Sequence, residues 1–181
     1  ALLALRTGRP VKVRVSREEV FRAGYPASGC VVRLKVGARK DGTLMAMEGR
    51  GIYDGGSRGG GGNLARLRGP YRIPNVRLEG FGVRTNKLPP GAYRAPGAPQ
   101  AAFARESALD QVARKLGMDP AELRLKNAVE EGDVSIGGRP LPRVWFKETI
   151  RKAVETAEWG KRRLKPNQGR GIACGEWNNG S

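Results

Sequence analysis

The stretch Pro89-Pro90-Gly91-Ala92-Tyr93-Arg94-Ala95-Pro96-Gly97-Ala98-Pro99-Gln100 divides the chain into two unlike halves. Before it, apolar residues alternate with charged ones, the period of a half-buried strand. After it, they recur at helical spacing. Strands first and helices after favours an α+β architecture, an antiparallel or mixed sheet followed by packed helices, over an alternating doubly wound sheet. Pro89, Pro90 and Pro96 stiffen the joint, and Pro99 suits the first turn of the helix that follows. A rigid strand-to-helix turn aims backbone N–H groups and the Arg94 cation at a fixed point, as an anionic ligand requires. On spacing alone an ordinary connecting loop explains the same residues.

Val31–Ala38 and Leu44–Tyr53 alternate on either side of Asp41-Gly42, which predicts an antiparallel hairpin with Lys35 and Met47 close across the ladder. Val11–Val15 (Val-Lys-Val-Arg-Val) predicts another half-buried strand, and Val76–Arg84 a third leading into the Arg94 loop. Ser16 and Glu19 have capping-box spacing. Six glycines lie within Gly55–Gly62; without the G-K-[ST] of a phosphate loop they predict a flexible surface loop. Pro99–Leu116 predicts a helix with Phe103, Leu109, Val112, Ala113 and Leu116 on its inward stripe and Gly117 as its stop. Asp119 and Pro120 predict the start of a second helix. Phe146–Glu158 predicts a third, with Phe146, Ile150, Ala153, Val154 and Ala157 inward. Arg170–Cys174 predicts the beginning of another strand, and the terminal Asn179-Gly180 a hairpin turn. By segment, 1–95 reads as the strand part ending at the loop, 96–160 as the helical part, and 161–181 as a linker and the start of the next strand region.

Composition excludes several chemistries. The 181 residues contain no histidine, which removes Ser-His-Asp and Cys-His catalysis and histidine metal sites. Cys30 and Cys174 are far apart and neither lies in C-x-x-C, so the chain predicts neither a disulfide framework nor an iron–sulfur or zinc site of its own. No apolar run is long enough for a membrane span, and no signal peptide is recognisable. The net charge of +17, from 34 basic and 17 acidic residues, raises a basic nucleic-acid-binding module as an alternative. Against it, the basic residues are scattered and aromatics make up only 6%. The densest basic run, Lys161–Lys165, reads as a solvated loop. Apolar residues are 39% and glycines number 27. With the apolar start Ala1–Leu5 and an abrupt finish, this predicts an internal piece of a longer protein that exposes apolar surface to missing neighbours.

Five blocks carry a family resemblance. Ala92–Gln100 resembles the A-[FY]-R-x-x-G-x-P-[QE] loop of the molybdenum hydroxylases, the family of xanthine dehydrogenase, aldehyde oxidase and carbon monoxide dehydrogenase. Tyr71-Arg72-Ile73-Pro74-Asn75 is similar to that family's Y-x-I-P-N block, and Thr7–Val11 to its T-G-R-P-V. Asp119–Asn127 and Glu131-Gly132-Asp133 resemble its P-x-E-[LV]-R-x-K-N and E-G-D segments. The resemblance implies part of a larger molybdenum cofactor-binding domain, in an oxidoreductase that hydroxylates an aldehyde or N-heterocycle carbon with water as oxygen source. It implies a molybdenum–molybdopterin (dithiolene) cofactor, with iron–sulfur clusters and FAD in partner domains or subunits. The remainder of the same subunit and a small-molecule substrate are the other implied partners. Two cysteines read as free thiols suit a reducing compartment, so the expected location is the cytoplasm, with periplasmic export as the alternative. Tyr93 and Arg94 take the cofactor-binding positions, and Ala95 and Pro96 the substrate pocket. Xanthine-type enzymes place an aromatic clamp where Pro96 stands, and copper-containing carbon monoxide dehydrogenases a cysteine where Ala95 stands. Neither specialisation is implied here. No glutamate matches the family's base and no metal ligand is implied, so the piece alone is expected to be inactive. A purely structural, subunit-contacting domain of the same enzyme type is a third reading.

Overall fold

Alternation builds the sheet. The computed structural model describes residues 1–60, 64–135, 137–161 and 164–177. Strands β1 (Cys30–Ala38) and β2 (Leu44–Asp54) pair antiparallel, with Lys35 opposite Glu48 and Val36 opposite Met47. The Asp41-Gly42 turn closes the hairpin. Gly42 N–H donates to the Arg39 carbonyl at 3.0 Å, and Asp41 Oδ1 accepts from Thr43 N–H at 3.0 Å. Strand β3 (Asn75–Val83) lies parallel to β2 on its other side, giving a mixed sheet of order β1-β2-β3. A parallel neighbour demands a crossover, here the segment between Asp54 and Asn75. It buries Leu64, Leu67, Tyr71 and Ile73 in the core beside Leu44, Met47 and Tyr53.

The helices cover that core. α1 (Leu2–Thr7) and α2 (Arg17–Ala23) precede the sheet, and the Ser16–Glu19 capping box forms as predicted. α3 (Ala98–Leu116) packs against β1 and the Leu64–Leu67 turn. It ends at Gly117, whose φ of 64° is the left-handed stop. α4 (Pro120–Asn127) begins where Asp119 accepts from the Ala121 and Glu122 amides, and α5 (Phe146–Thr156) packs on α4.

Several expectations need correction. On α3, Leu109, Val112 and Ala113 face the core as expected, joined by Ala101, Arg105 and Glu106, whereas Phe103 falls outside the stripe and is 79% exposed. On α5 the covered stripe is narrow, Phe146, Ile150 and Val154, and it leaves Ala153 and Ala157 in solvent. Arg170–Cys174 forms no strand among the described residues; side chains rather than a ladder hold it. Val11–Val15 is likewise not paired: its alternation is present, but no neighbouring strand among the described residues meets it. The Gly55–Gly60 part of the glycine-rich stretch is not loose. A Cβ on Gly55 would lie 2.3 Å from the Gly60 carbonyl oxygen, and one on Gly56, at φ 56°, 2.3 Å from that of Leu88. Gly55 and Gly56 there serve close packing, whereas a Cβ on the exposed Gly60 would meet open space. Gly61 and Gly62, Arg162 and Arg163 of the basic run, and the terminal Asn179-Gly180 turn lie outside the described residues.

The expected exposed apolar surface is present. None of residues 1–29 is buried, although Leu2, Leu5, Val13, Val15 and Phe21 are among them. Both cysteines are free thiols, Cys174 buried and Cys30 half-buried.

Candidate functional site

The Arg94 loop is fixed at its root by Asp54, the last residue of β2. Its carboxylate accepts from Lys87 Nζ at 2.7 Å, from the Thr85 hydroxyl and from Gly56 N–H at 3.0 Å. Lys87, then Thr85 and the Gly56 amide, hold the Asp54 pKa down at about 2, from 3.8. Gly55 N–H donates to Val83, Thr85 N–H to Gly56, and Ser57 N–H to Lys87, so the glycine turn is stitched to the chain leaving β3. Further along, Gly91 sits against the Tyr25 side chain and donates to the Pro26 carbonyl at 3.3 Å.

Within the loop, Tyr93 is half-buried and its hydroxyl donates to Gln100 Oε1 at 2.8 Å; Gln100 in turn donates to the Ser28 carbonyl at 3.2 Å. Arg94 is exposed, Ala95 half-buried and Pro96 exposed. Ala95 has a φ of 59°, the left-handed region that non-glycine residues rarely take, and Gly97 follows at 77°. This double left-handed turn starts α3. The Tyr93, Arg94 and Ala95 amides donate to no other backbone group among the described residues. Nor does the Arg94 guanidinium form an ion pair among them. The four positions singled out by sequence therefore lie together in one pinned loop whose free groups include three amide donors and the Arg94 guanidinium. That donor set fits an anionic group such as a dithiolene-held oxo-metal centre.

The other sequence blocks are used inside the fold. Tyr71 is fully buried and its hydroxyl donates to both oxygens of Glu106 at 3.1 Å. Glu106 also accepts from Arg105 Nε and Arg124 Nε, both at 2.8 Å, and from Cys174 N–H at 3.0 Å. Burial, then the Glu106 charge, pushes the Tyr71 phenol far above its ordinary range, and burial raises the Cys174 thiol. Arg105 spends its other nitrogens on the Arg66 and Cys174 carbonyls at 2.8 and 2.7 Å. Its guanidinium fills the space beside Gly69, at φ 62°, where a Cβ would come within 2.4 Å of Arg105 Cζ. Asn127, also buried, accepts from Leu44 N–H at 2.8 Å and donates to the Gly42 carbonyl at 2.9 Å, clamping the β1–β2 turn to α4. The Arg94 loop combines a pinned, stiff backbone with unspent donors. Among the described residues no cluster of three or more His, Cys, Asp or Glu could hold a metal ion, and no helix is long and apolar enough to cross a membrane.

The sequence profile of the molybdopterin cofactor-binding domain matches residues 1–128. The chain belongs to that family. The matched span holds the Arg94 loop, the glycine turn, Tyr71, Glu106 and Arg124. Among relatives, the aldehyde oxidoreductase of Megalodesulfovibrio gigas is 42% identical over 145 residues, covering 77% of this chain and 16% of that protein. The nicotinate dehydrogenase large molybdopterin subunit of Eubacterium barkeri is 37% identical over 164 residues, covering 87% of this chain and 39% of that subunit. The crystal structure of quinoline 2-oxidoreductase from Pseudomonas putida 86 superposes with a TM-score of 0.78 at 31% identity, over 87% of this chain and 22% of that one. The chain thus spans well under half the length of these family members.

Sequence reasoning missed the Arg105–Glu106–Arg124 cluster, Asn127 and Asp54. A signal existed for the first: Arg105 sits four residues after Ala101 and four before Leu109, on the inward face. Charge at that position reads as solvated unless its partner, far away in sequence, is known.

Proposed function

We propose that this chain supplies the Tyr93–Arg94 loop to the cofactor pocket of a larger molybdenum-dependent oxidoreductase that hydroxylates an aldehyde or N-heterocycle carbon using water. The observation that carries this is the pinned loop with its free Tyr93, Arg94 and Ala95 amides and exposed Arg94. The substrate class is supported by the aldehyde, nicotinate and quinoline named for the relatives. When bound, the molybdenum–molybdopterin group supplies the two-electron oxidation. The residues of this chain hold and orient it. Gln100 fixes Tyr93, which sets the direction of the loop amides. Arg94 places a permanent cation beside an electron-rich centre. Ala95 and Pro96 form a small, non-aromatic pocket wall; lacking an aromatic clamp, it forgoes roughly 0.5–1.5 kcal/mol of stacking on a purine. No base is assigned within the chain. The remainder of the subunit, iron–sulfur and FAD units, a small-molecule substrate, a cytoplasmic setting and the division at residues 95 and 160 belong to the same proposal. The family assignment leaves the nucleic-acid alternative without support.

Arg94→Ala in the complete enzyme tests the site. Losing one charge-assisted hydrogen bond removes about 1.5–3 kcal/mol, about tenfold to a hundredfold in turnover. Molybdenum content, turnover and melting temperature are measured on the same preparation. Lower turnover or metal occupancy at an unchanged melting point is expected. Wild-type activity per molybdenum with a lower melting point makes Arg94 a scaffold residue.

A further inference from the structure

Asp54 ties the end of β2 to the glycine turn and to the chain that runs from β3 into the Arg94 loop. Its Oδ1 accepts from the Thr85 hydroxyl and from Gly56 N–H, while Oδ2 accepts from Lys87 Nζ. Backbone bonds join the same residues again. Thr85 N–H donates to the Gly56 carbonyl and Ser57 N–H to that of Lys87, both at 3.0 Å. Leu88 and Pro89 then lie flat on the turn. A Cβ on Gly56 would stand 2.3 Å from the Leu88 carbonyl oxygen and 2.7 Å from Pro89 Cα. Beyond that point the chain has little freedom to absorb a shift. Pro89 and Pro90 have fixed φ. Gly91 is wedged against Tyr25, where a Cβ would meet the Tyr25 side chain at 2.4 Å.

We propose that Asp54 is a positioning residue for the cofactor contact: through Lys87 and Thr85 it sets where the Tyr93, Arg94 and Ala95 amides stand. This rests on the reading of that loop given above. Asp54 acts through the loop and not by touching cofactor or substrate. A strut stiffened by two prolines carries a shift at its root to its far end, and a misplacement of about 1 Å costs a reaction about a hundredfold. The Lys87 side chain is 74% exposed, so its ion pair adds little to global stability. Position and stability are therefore separable at this pair.

The test uses the complete enzyme. Asp54→Asn keeps an oxygen for Thr85 and Gly56 but turns an N–H donor toward Lys87. Lys87→Met removes the same pair from the loop side, and Lys87→Arg keeps a cation there. Lys35→Met, which breaks the exposed Lys35–Glu48 pair of the β1–β2 hairpin, is the control. Turnover per molybdenum, melting temperature and amide exchange at Gly91, which donates to the Pro26 carbonyl, are measured on each. Asp54→Asn and Lys87→Met are each expected to lower turnover per molybdenum about tenfold and to speed Gly91 exchange about tenfold, at an unchanged melting temperature. The double variant should be no worse than either single one, Lys87→Arg should recover most of the loss, and the control should match the wild type. Gly91 exchange at the wild-type rate overturns the proposal, because Tyr25 and Pro26 then hold the loop without Asp54. Unchanged turnover per molybdenum, or a loss that follows a falling melting temperature, overturns it too. Failure of the underlying reading looks different: Arg94→Ala then keeps wild-type turnover per molybdenum while Asp54→Asn still frees Gly91. That result removes the cofactor contact, and with it the proposal, but leaves Asp54 as the anchor of the loop.

Discussion

Glu106 balances two fully buried guanidinium groups with one carboxylate. It accepts from Tyr71, Arg105, Arg124 and the Cys174 amide, so both oxygens are used. Desolvating three charges is unfavourable unless each is paired and hydrogen-bonded. The arrangement meets that condition with Arg105 and Arg124 reaching backbone carbonyls as well. Glu106→Gln keeps the shape but removes the carboxylate that Arg105 and Arg124 share, leaving Arg124 with Asp110 alone. The expected loss is about 3–5 kcal/mol, read by denaturant unfolding as a lower midpoint with an unchanged slope. A loss below about 1 kcal/mol would show that solvent or Asp110, 2.8 Å from Arg124, already balances the charge. The motif Asp119–Asn127 was legible as a block, yet the role of Arg124 within it was not. Its partner lies 18 residues away on another helix, a distance that local periodicity does not span.

At the scale of elements, the β1–β2 hairpin could be read from alternation and Asp41-Gly42 because both signals are local and agree. The β2–β3 pairing could not, since a parallel register is set by the crossover and its packing. The glycine turn was misread for the same reason: its glycines answer to Leu88 and Gly60 backbone, which only the folded chain brings near. Asp54 joins these pieces, and its ionisation should be felt there. Its folded pKa of about 2 lies below the ordinary 3.8. Its stabilisation is therefore complete above 3.8 and is lost as pH falls from 3.8 toward about 2. Between those values the wild-type chain should lose stability faster than Asp54→Asn, which cannot titrate. Amide exchange should report the opening first at Gly55, Ser57 and Thr85, the donors of the stitched turn. Parallel acid profiles for the two proteins would show that Asp54 is unperturbed.

Across the whole molecule, burial is divided unevenly. The core is contributed by residues from Leu44 onward, with Val32, Leu34 and Val36 partly covered against it, whereas none of residues 1–29 is buried. The low apolar share of the sequence foretold incomplete cover but not its location, because Leu2, Leu3 and Phe21 are as apolar as any core residue. Among the described residues neither α1 nor α2 has a buried residue. Three contacts fasten the end of this region to the Arg94 loop: Tyr25 against Gly91, Gly91 N–H to the Pro26 carbonyl, and Gln100 Nε2 to the Ser28 carbonyl. Everything before Tyr25 should therefore be dispensable to the core. Limited trypsin digestion is expected to cut first after Arg6, Lys12, Arg14, Arg17 or Arg22, all of them exposed. The product lacking residues 1–22 should keep its cooperative unfolding. Removing surface groups changes stability by about 0.5 kcal/mol or less, a melting shift of about 2 °C or less for a chain of this size. Early cleavage instead within Arg94–Arg105, or a fall of ten degrees after removal of residues 1–22, would mean that the N-terminal segment supports the loop directly. The Arg94 site would then have to be redrawn to include it.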